Sequence, residues 1–260
     1  WGMQNRHPWL KKTSFRMIEG PLLRGATAIH YTSEQEHEEA AQLGIQQRAV
    51  IIPNAISLPQ QSDHSCHGQF RKRYPQLADR CLILFLSRLD QKKGLDLLLP
   101  AFAQLHAQEP EVMLVLAGDG ESAFVTSLKK QAVTLDIGEH VFWPGFLDTE
   151  EKWTAFADAD IFVLPSYSEN FGIAAVEAMT AGLPVVVSDQ VGIHREIVDA
   201  SAGLAVACNS QALSQALQEL SRNPGLRQKM GENGKLLMQR EFSPGVMIDR
   251  LIKVYEDIGH

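Results

Sequence analysis

Two glutamates eight residues apart, Glu169 and Glu177, lie in the stretch of the chain with the clearest potential for chemistry. The stretch, Leu164 to Gly192, reads as an apolar strand, a Ser/Glu/Asn/Gly turn, a helix of small residues and a second apolar strand, which is typical of a βαβ unit. The amides of the turn fall at the helix N-terminus, where free N–H groups and the positive end of the helix dipole favour phosphate or carboxylate oxygens. Eight helical residues span ~12 Å, close to the distance from a sugar to a ribose across a diphosphate. The spacing predicts a site for an elongated anion, with Glu169 just before the regular helix.

Two cations lie at the end of a different predicted strand. Arg88 follows the apolar run Leu82 to Leu86, and Lys93 comes five residues later, just before Gly94. A guanidinium makes forked contacts with phosphate oxygens and an ammonium acts as a point charge, so the pair suits a nucleotide diphosphate. An isolated pair of this kind is more often two surface cations, but the acidic turn and the glycine loops favour the interpretation as a ligand site.

The elements that position these side chains alternate between strands and helices. Six short apolar runs fit buried strands: 82–86, 112–117, 141–146, 161–164, 185–188 and 203–207. Because such runs are apolar on both faces and are separated by helical patterns, they indicate a parallel sheet. The fold class is therefore predicted to be α/β, a Rossmann-like parallel sheet of about six strands with helices on both faces. Ligands of such sheets bind beyond the carboxyl ends of the strands, near a topological switch point.

The segments before and after the sheet differ in composition. Residues 1–25 are basic and partly apolar. We favour a helix whose basic face is solvated, and contact of this helix with an anionic membrane surface remains an alternative. Ser33-x-x-Glu36 fits a capping box at the start of a Glu-rich helix. The polar stretch Ser57 to Ser65 is the best candidate for a linker. Residues 211–258 are expected to be helical, with prolines near the first positions of two helices.

Composition and charge limit the classes of function. The chain has 260 residues, 45% of them apolar, a net charge of −7 and a pI near 5.7, so its overall field does not favour a nucleic-acid partner. Its three cysteines form no C-x-x-C pair, and we expect reduced thiols in a cytoplasmic protein. No apolar run reaches the roughly 18 residues that span a bilayer, and no signal-peptide pattern is present. Because the chain begins at Trp1 in mid-pattern, we expect it to be part of a longer protein.

Several common catalytic and metal-binding motifs are missing from the sequence. No G-x-S-x-G elbow surrounds a serine, and neither a Walker A motif nor H-E-x-x-H occurs. The D-x-D sequence at 158–160 is of a type that holds a metal, but it precedes a predicted strand, at the end opposite the expected site. The group His64, Cys66 and His67 lacks further ligands. No metal site is predicted, and nucleotide-sugar handling is the chemistry that remains.

Five motifs occur together along the predicted sheet. They are SRLDQKKGL at 87–95, GDG at 118–120, PGF at 144–146, ENFG at 169–172 followed by Glu177, and GLPV at 182–185. In combination they resemble the retaining family 4 glycosyltransferases of GT-B fold, in which two glutamates have the E-x7-E spacing of Glu169 and Glu177. The resemblance extends from about Ala26 to the C-terminus, and the combination is far more specific than any single motif.

The resemblance implies a division into domains. Members of the family have two Rossmann-like domains that face each other across a cleft, and the C-terminal one binds the nucleotide-sugar donor. Residues 1–56 correspond to the last part of the N-terminal, acceptor-binding domain, and residues 57–79 to the linker that leads into the sheet. Residues 80–242 correspond to the donor-binding domain and residues 243–260 to a C-terminal helix. Most of the acceptor-binding domain is expected to lie outside this chain.

The resemblance also implies roles for individual residues. Arg88, Lys93 and Glu169 are the implied catalytic residues: the cations neutralise the diphosphate as the sugar leaves, and Glu169 accepts hydrogen bonds from the sugar hydroxyls. Glu177 accepts hydrogen bonds from the ribose. The other implied donor-binding residues act mainly through their backbone or border the base, and they are Gly118, Gly145, Phe146, Asn170, Phe171, Gly172 and Ile173. The family uses no metal and no cofactor beyond the donor, and its histidine near the donor sugar belongs to the N-terminal domain.

Three functions remain open at this point. The first is transfer of a sugar, with retention of configuration, from a nucleoside-diphosphate sugar to a glycan, lipid-linked or small acceptor by the longer parent protein, in the cytoplasm or at the inner face of its membrane. The second is a nucleotide-sugar binding module that is inactive without the acceptor domain. The third is a sugar epimerase of the same fold, which the E-x7-E stretch and the Arg88/Lys93 turn disfavour. Motif spacing leaves the base, the sugar and the acceptor open.

Overall fold

The computed structural model of the protein describes residue 9, residues 13–56 and residues 66–258. Strands β1 (Ile29–Tyr31) and β2 (Ala49–Ile51) form a small parallel sheet. A second, larger sheet contains β3 (Cys81–Leu86), β4 (Val112–Ala117), β5 (Val141–Gly145), β6 (Ile161–Leu164), β7 (Val185–Ser188) and β8 (Gly203–Val206). The helices are α1 (Gly20–Arg24), α2 (Glu34–Gln42), α3 (Gln69–Arg73), α4 (Leu95–His106), α5 (Ser122–Thr134), α6 (Thr149–Asp158), α7 (Ile173–Ala181), α8 (His194–Asp199), α9 (Ser210–Arg222), α10 (Pro224–Glu241) and α11 (Pro244–Ile258).

The larger sheet has the strand order β5-β4-β3-β6-β7-β8, and all neighbouring strands are parallel. The chain begins at the centre with β3, moves outward through β4 and β5, and returns to the other side of β3 with β6. The winding therefore reverses between β3 and β6, which pair through Ile83 with Ile161 and Leu84 with Phe162. Such a reversal is the topological switch point at which doubly wound sheets bind ligands. The predicted α/β class with a six-stranded parallel sheet is confirmed.

The sheet forms the centre of the hydrophobic core. Every residue of β6 and β7 is buried, because helices cover both faces of the sheet. Helices α4, α5 and α9 pack in one group, and α6, α7 and α10 pack in another. The apolar side chains of α4, at spacings of three and four, are fully buried as the periodicity predicts: Leu95, Leu98, Leu99, Phe102 and Leu105.

Two acids at the amino end of β6 join separate parts of the chain. The carboxylate of Asp158 accepts hydrogen bonds from the amides of Gly68 and Arg71, the latter at 3.0 Å. The carboxylate of Asp160 accepts from the amide of Leu82 at 2.9 Å and from the guanidinium of Arg71 at 3.2 Å. These bonds attach α3 to the first residues of β3 and β6. The acids of the D-x-D sequence therefore stabilise the fold at the end of the sheet away from the switch-point crevice.

Helix starts follow their sequence signals, with one difference. Asp148 accepts from the amide of Glu151 at 2.9 Å and Glu151 accepts from the amide of Asp148 at 3.4 Å, which completes a capping box at α6. Ser33 likewise accepts from the amide of Glu36 at 3.2 Å. The carboxylate of Glu36, however, accepts from the amide and the hydroxyl of Thr32, at 2.7 and 2.8 Å. The capping box predicted at Ser33 is only half formed, because Thr32 offers two donors to the same carboxylate.

Two of the strands were predicted to extend one residue further than they do in the structure. The strand predicted at 141–146 ends at Gly145, because the φ of +82° at this glycine turns the chain before Phe146. The strand predicted at 203–207 ends at Val206, the last residue that pairs with β7. The predicted strands 161–164 and 185–188 match β6 and β7 at both ends.

The segments outside the larger sheet match the sequence predictions in part. The basic segment 1–25 is described only at residue 9 and from residue 13 onward, where a π-helical turn, Phe15–Glu19, leads into α1. The predicted linker, Ser57 to Ser65, lies outside the described residues. The tail is helical as predicted, with a proline at the first position of both α10 and α11. None of the described helices combines the length and the hydropathy that a bilayer-spanning helix requires.

Candidate functional site

A cavity of about 570 Å³ lies beyond the carboxyl ends of β3, β4 and β6, beside the reversal in strand order. Its walls include the first residues of α6 and α7. The volume falls within the range of about 300–1,000 Å³ that is common for small-molecule sites. Seven charged side chains of the described residues line it, and they are Arg88, Lys93, Asp119, Asp148, Lys152, Glu169 and Glu177. The cavity therefore suits a polar ligand with several charged or hydroxyl groups.

The structure brings eight of the eleven site residues predicted from sequence to this cavity: Arg88, Lys93, Gly118, Phe146, Glu169, Gly172, Ile173 and Glu177. The other three, Gly145, Asn170 and Phe171, do not line it. The carbonyl of Gly145 supports the wall from behind, because it accepts a hydrogen bond from the amide of Gly118 at 2.8 Å. The side chain of Phe171 is only 4% exposed and packs edge-on against Phe242, with ring centroids 5.6 Å apart. Phe171 is therefore a core side chain.

The turn between β6 and α7 fixes the position of Glu169. The amide of Glu169 donates to the carbonyl of Gln190 at 3.1 Å, and its carbonyl accepts from the amide of Gly192 at 2.8 Å. The turn ends at Gly172, whose φ is +98°. A Cβ at this position would lie 2.8 Å from Val191 Cγ1, so a larger residue is disfavoured both by conformation and by space. These contacts fix the backbone position from which the Glu169 side chain reaches the edge of the cavity.

Lys93 reaches the same cavity from the loop after β3. The 3₁₀ turn Gln91–Lys93 ends at Gly94, whose φ is +70°. A Cβ on Gly94 would lie 2.0 Å from the carbonyl oxygen of Pro165, so this loop packs directly on the turn after β6. The ammonium of Lys93 forms an ion pair with the carboxylate of Glu169, and the two side chains are 15% and 23% exposed. The first of the two glutamates is thereby paired with a cation from the neighbouring strand.

A tyrosine in the turn reinforces the contact between these two loops. The amide of Tyr167 donates to the carbonyl of Lys92 at 2.8 Å, and its hydroxyl donates to Asp96 Oδ2 at 2.8 Å. Burial, followed by the hydrogen bond to Asp96, raises the pKa of Tyr167 to about 12, so the hydroxyl stays protonated and keeps donating at neutral pH. The loops that carry Lys93 and Glu169 are therefore held together independently of their ion pair.

The second glutamate has its own lysine. Glu177 lies on α7 and Lys152 lies on α6, and Lys152 Nζ is 2.6 Å from Glu177 Oε1. Both side chains line the cavity and are mostly buried, at 22% exposed for the lysine and 14% for the glutamate. No hydrogen bond connects Glu177 Oε2 to another described residue. One oxygen of this carboxylate is therefore available to a ligand.

Arg88 differs from the two lysines. It lines the cavity from the end of β3, its side chain is exposed, and it makes no side-chain hydrogen bond or ion pair with any residue that the structure describes. Its guanidinium presents donors that match phosphate oxygens. The start of α7 adds a second feature that favours anions, because its N-terminal amides have no side-chain cap and its first turn has no acid.

Two apolar side chains border the mouth of the cavity. Phe146 is 69% exposed and Ile173 is 53% exposed, although both are large hydrophobic residues. Phe146 directly follows the sharp turn at Gly145, and Ile173 is the first residue of α7. An exposed aromatic ring beside a polar cavity is suited to stacking against a flat ring of a ligand.

Nine lining residues were not predicted as site residues from sequence, and four of them belong to one segment of the chain. These four are Leu147, Asp148, Thr149 and Lys152, all in the loop after β5 or in the first turn of α6. The capping signal at Asp148 identified the helix start, and Lys152 follows it by four residues, which places both near the same end of α6. The missing information was that α6 lies beside α7, which the sequence pattern does not give.

The candidate metal groups of the sequence find no counterpart in the described part of the chain, where no cluster of three or more His, Cys, Asp or Glu side chains is arranged to hold a metal ion. Of the group His64, Cys66 and His67, the first lies outside the described residues. The three cysteines are unbridged, and burial raises the pKa of the Cys81 thiol to about 12.

Comparison with protein families gives a match that covers the whole of the larger sheet. The model of the family described as "Glycosyl transferases group 1" matches residues 68–237. Among curated proteins, the chain is 34% identical over 214 residues to a phosphatidyl-myo-inositol mannosyltransferase of Mycobacterium leprae, with 81% of this chain and 54% of that protein covered. It is 30% identical over 193 residues to an alpha-D-kanosaminyltransferase of Streptomyces kanamyceticus, with 74% and 49% covered. The chain spans about half the length of these curated relatives.

Solved structures share the fold at lower sequence identity. A sucrose-phosphate synthase of Thermosynechococcus elongatus superposes with a TM-score of 0.82 at 24% identity, and the match covers 99% of this chain and 65% of that one. HepE of Anabaena, solved in complex with UDP and glucose, superposes with a TM-score of 0.80 at 22% identity, with 95% and 67% covered. These similarities confirm the GT-B type of Rossmann-like domain that the motifs imply.

Proposed function

The chain belongs to the family of glycosyl transferases group 1, and from this premise we propose that it is the donor-binding part of a retaining family 4 glycosyltransferase. The reaction is transfer of a sugar from a nucleoside-diphosphate sugar to a glycan, lipid-linked or small acceptor. The observation that supports the proposal best is a single cavity, at the switch point of the sheet, that contains Arg88, Lys93 and both glutamates of the E-x7-E spacing.

In this proposal the cations bind the diphosphate. Arg88 has no side-chain partner among the described residues. The Lys93 ammonium forms an ion pair with Glu169 but has three N–H groups, so both side chains can present N–H groups to phosphate oxygens. The uncapped N-terminus of α7 adds its amides and the positive end of its dipole. As the bond between the sugar and the diphosphate breaks, negative charge grows on the leaving oxygen, and these groups stabilise it electrostatically. No metal ion is needed for this role.

The two glutamates hold the two ends of the donor. Glu169, in the turn before α7, accepts hydrogen bonds from hydroxyls of the transferred sugar, and Glu177, within α7, accepts from the ribose. Phe146, exposed at the mouth, borders the base. The acceptor attacks from the same face of the sugar that the diphosphate leaves, which retains the anomeric configuration. The groups that orient the acceptor belong to the acceptor-binding domain, most of which lies outside this chain.

Titration calorimetry of the chain with UDP, GDP and ADP tests donor binding directly. We expect one of the three to bind, and Glu177→Ala to weaken that binding by about tenfold or more, because a hydrogen bond to a charged group contributes roughly 1.5–3 kcal/mol. Glu219→Ala, which removes an exposed carboxylate on α9, is the matched control and should bind like the unmodified chain. Absence of binding by all three nucleotides would contradict the proposed function.

A nucleotide-sugar binding module without transferase activity is a second candidate. It is supported by the cavity, because the charged groups proposed to bind the donor all belong to this chain. An assay of sugar transfer separates the two functions: the complete gene product should transfer sugar from the donor that binds. Binding without transfer by the complete gene product would instead identify the module.

A further inference from the structure

We propose that Lys152 is a positioning residue for Glu177: by holding Oε1 of this carboxylate, it presents Oε2 to the ribose hydroxyls of the donor. The inference rests on the proposed donor site and adds to it a residue that none of the motifs contains. Lys152 is carried by α6 and approaches the ribose side of the cavity from a different element than the implied donor residues of α7.

The geometry makes the pairing between Lys152 and Glu177 specific. The nearest acid in sequence, Glu151, is engaged elsewhere, since its carboxylate pairs with Arg73 and accepts from the amide of Asp148. The carboxylate of Asp148 in turn accepts the amide of Glu151 in the capping box. Neither of these two acids therefore competes for the ammonium of Lys152, whose Nζ lies 2.6 Å from Glu177 Oε1.

Packing restricts the lysine further. Its ammonium lies 5.5 Å from the ring centroid of Trp153, a distance at which the aromatic face attracts a cation. The side chain is 22% exposed, so its aliphatic stem is mostly covered and the ammonium has little freedom to leave the carboxylate. A lysine held in this way fixes the rotation of the Glu177 carboxylate about its last bond. A freely rotating carboxylate would lose entropy on binding two hydroxyls, and a fixed one has already lost it.

Charge balance supports the same role. The Glu177 side chain is only 14% exposed, and a carboxylate with so little contact to water needs a partner. It also shares the cavity with the place where the diphosphate is proposed to bind, and two like charges in one cavity repel each other. The ammonium of Lys152 neutralises this carboxylate on the side away from Oε2. The ribose can then be held by an acid without added repulsion of the diphosphate.

The test measures how strongly the site recognises the ribose. UDP, GDP and ADP are titrated into the chain, and the nucleotide that binds is compared with its 2′-deoxy counterpart. In the unmodified chain we expect the ribonucleotide to bind about tenfold more tightly, the magnitude of one charge-assisted hydrogen bond. Lys152→Met and Lys152→Gln, two neutral replacements of similar length, should bring this ratio close to one. Lys152→Arg, which keeps a cation, should restore part of it.

The control is Lys130→Met, which removes an exposed ammonium on α5 and should leave the ratio unchanged. A general loss of structure in a Lys152 variant would weaken both nucleotides equally, so the ratio separates positioning from stability. An unchanged ratio in either neutral variant that folds overturns the inference while leaving the proposed function intact. Failure of every nucleotide to bind the unmodified chain overturns the proposed function and this inference with it.

Discussion

The ammonium of Lys93 and the carboxylate of Glu169 form an ion pair that bridges the two loops flanking the reversal in strand order. Lys93 follows β3 and Glu169 follows β6, and these two strands pair at the centre of the sheet. Both groups also line the cavity, so a ligand that enters it meets a cation and an acid already held at a fixed separation. The two loops that flank the reversal in strand order therefore also carry two of the groups to which the proposed chemistry is assigned.

Replacing Lys93 by Met should impair the leaving of the diphosphate more than the binding of the donor. The ammonium acts on charge that grows in the transition state, and removal of one such donor lowers kcat by roughly 10²–10³-fold. Steady-state kinetics of the complete gene product measure the effect, with Lys130→Met as the control on an exposed lysine of α5. A raised KM with an unchanged kcat would contradict this role, because it would show that Lys93 stabilises the ground state and the transition state equally.

Replacing Gly172 by Ala should destabilise the fold. The φ of +98° disfavours a residue with a Cβ, and the new Cβ would lie 2.8 Å from Val191 Cγ1. We expect the free energy of unfolding to fall by about 1–3 kcal/mol, which lowers the melting temperature. Gly225→Ala is the matched control: the position has ordinary backbone geometry in α10 and no atom within 4 Å of the added Cβ. Equal melting temperatures for the two variants would refute the role given to Gly172.

Two phenylalanines near the site should respond in opposite ways to replacement by Ala. Phe171 is buried against Phe242, and its removal should lower the free energy of unfolding by about 3–5 kcal/mol. Phe146 is 69% exposed, so its removal should leave stability nearly unchanged and weaken nucleotide binding. Denaturant titration and calorimetry of both variants provide the comparison. Loss of binding in a stably folded Phe171→Ala protein, with none in Phe146→Ala, would reverse the assignment.

His106 should make the protein less stable in mild acid. Burial and then the neighbouring His140, whose ring centroid is 3.8 Å away, lower the pKa of His106 from its usual 6.5. The unfolded chain therefore binds a proton at a pH where the folded chain keeps the ring neutral. Stability is full above the unfolded pKa and is lost as the pH falls through it towards the lower folded pKa. His106→Asn should reduce the loss of unfolding free energy between about pH 7.5 and about pH 5, measured in urea. Identical pH profiles would contradict the effect.

The sheet could be predicted because its strands are short apolar runs with clear ends. The run Ile161 to Leu164 lies between Asp160 and Pro165, and its bounds match β6. The reversal of strand order, in contrast, depends on which strands pair, and strand pairing is a tertiary property that local patterns do not contain. Ligands of parallel sheets bind beyond the carboxyl ends of the strands. This rule alone predicted that most of the site residues share one cavity, without knowledge of which strands pair.

The parts of the site that were not predicted depend on contacts between elements distant in sequence. Lys152 meets Glu177 across 25 residues, because α6 packs beside α7. Phe171 was itself predicted as a donor-binding residue, yet its side chain joins the core because Phe242 at the end of α10 offers it a packing partner. Spacing within one motif identifies which backbone segment approaches a ligand, but the direction of each side chain is set by its tertiary neighbours.

The charges of the cavity wall nearly cancel, and this has a kinetic consequence. In the part of the chain that the structure describes, three cations and four carboxylates line the cavity, and two of the carboxylates are already paired with lysines. The whole chain is also negative, at −7. The field of the protein therefore does not attract the proposed anionic nucleotide from a distance, and the nucleotide would be recognised only by contacts within the cavity. Its association rate should therefore not fall as the ionic strength rises, and differences in affinity among nucleotides should appear mainly as differences in how long each one stays bound.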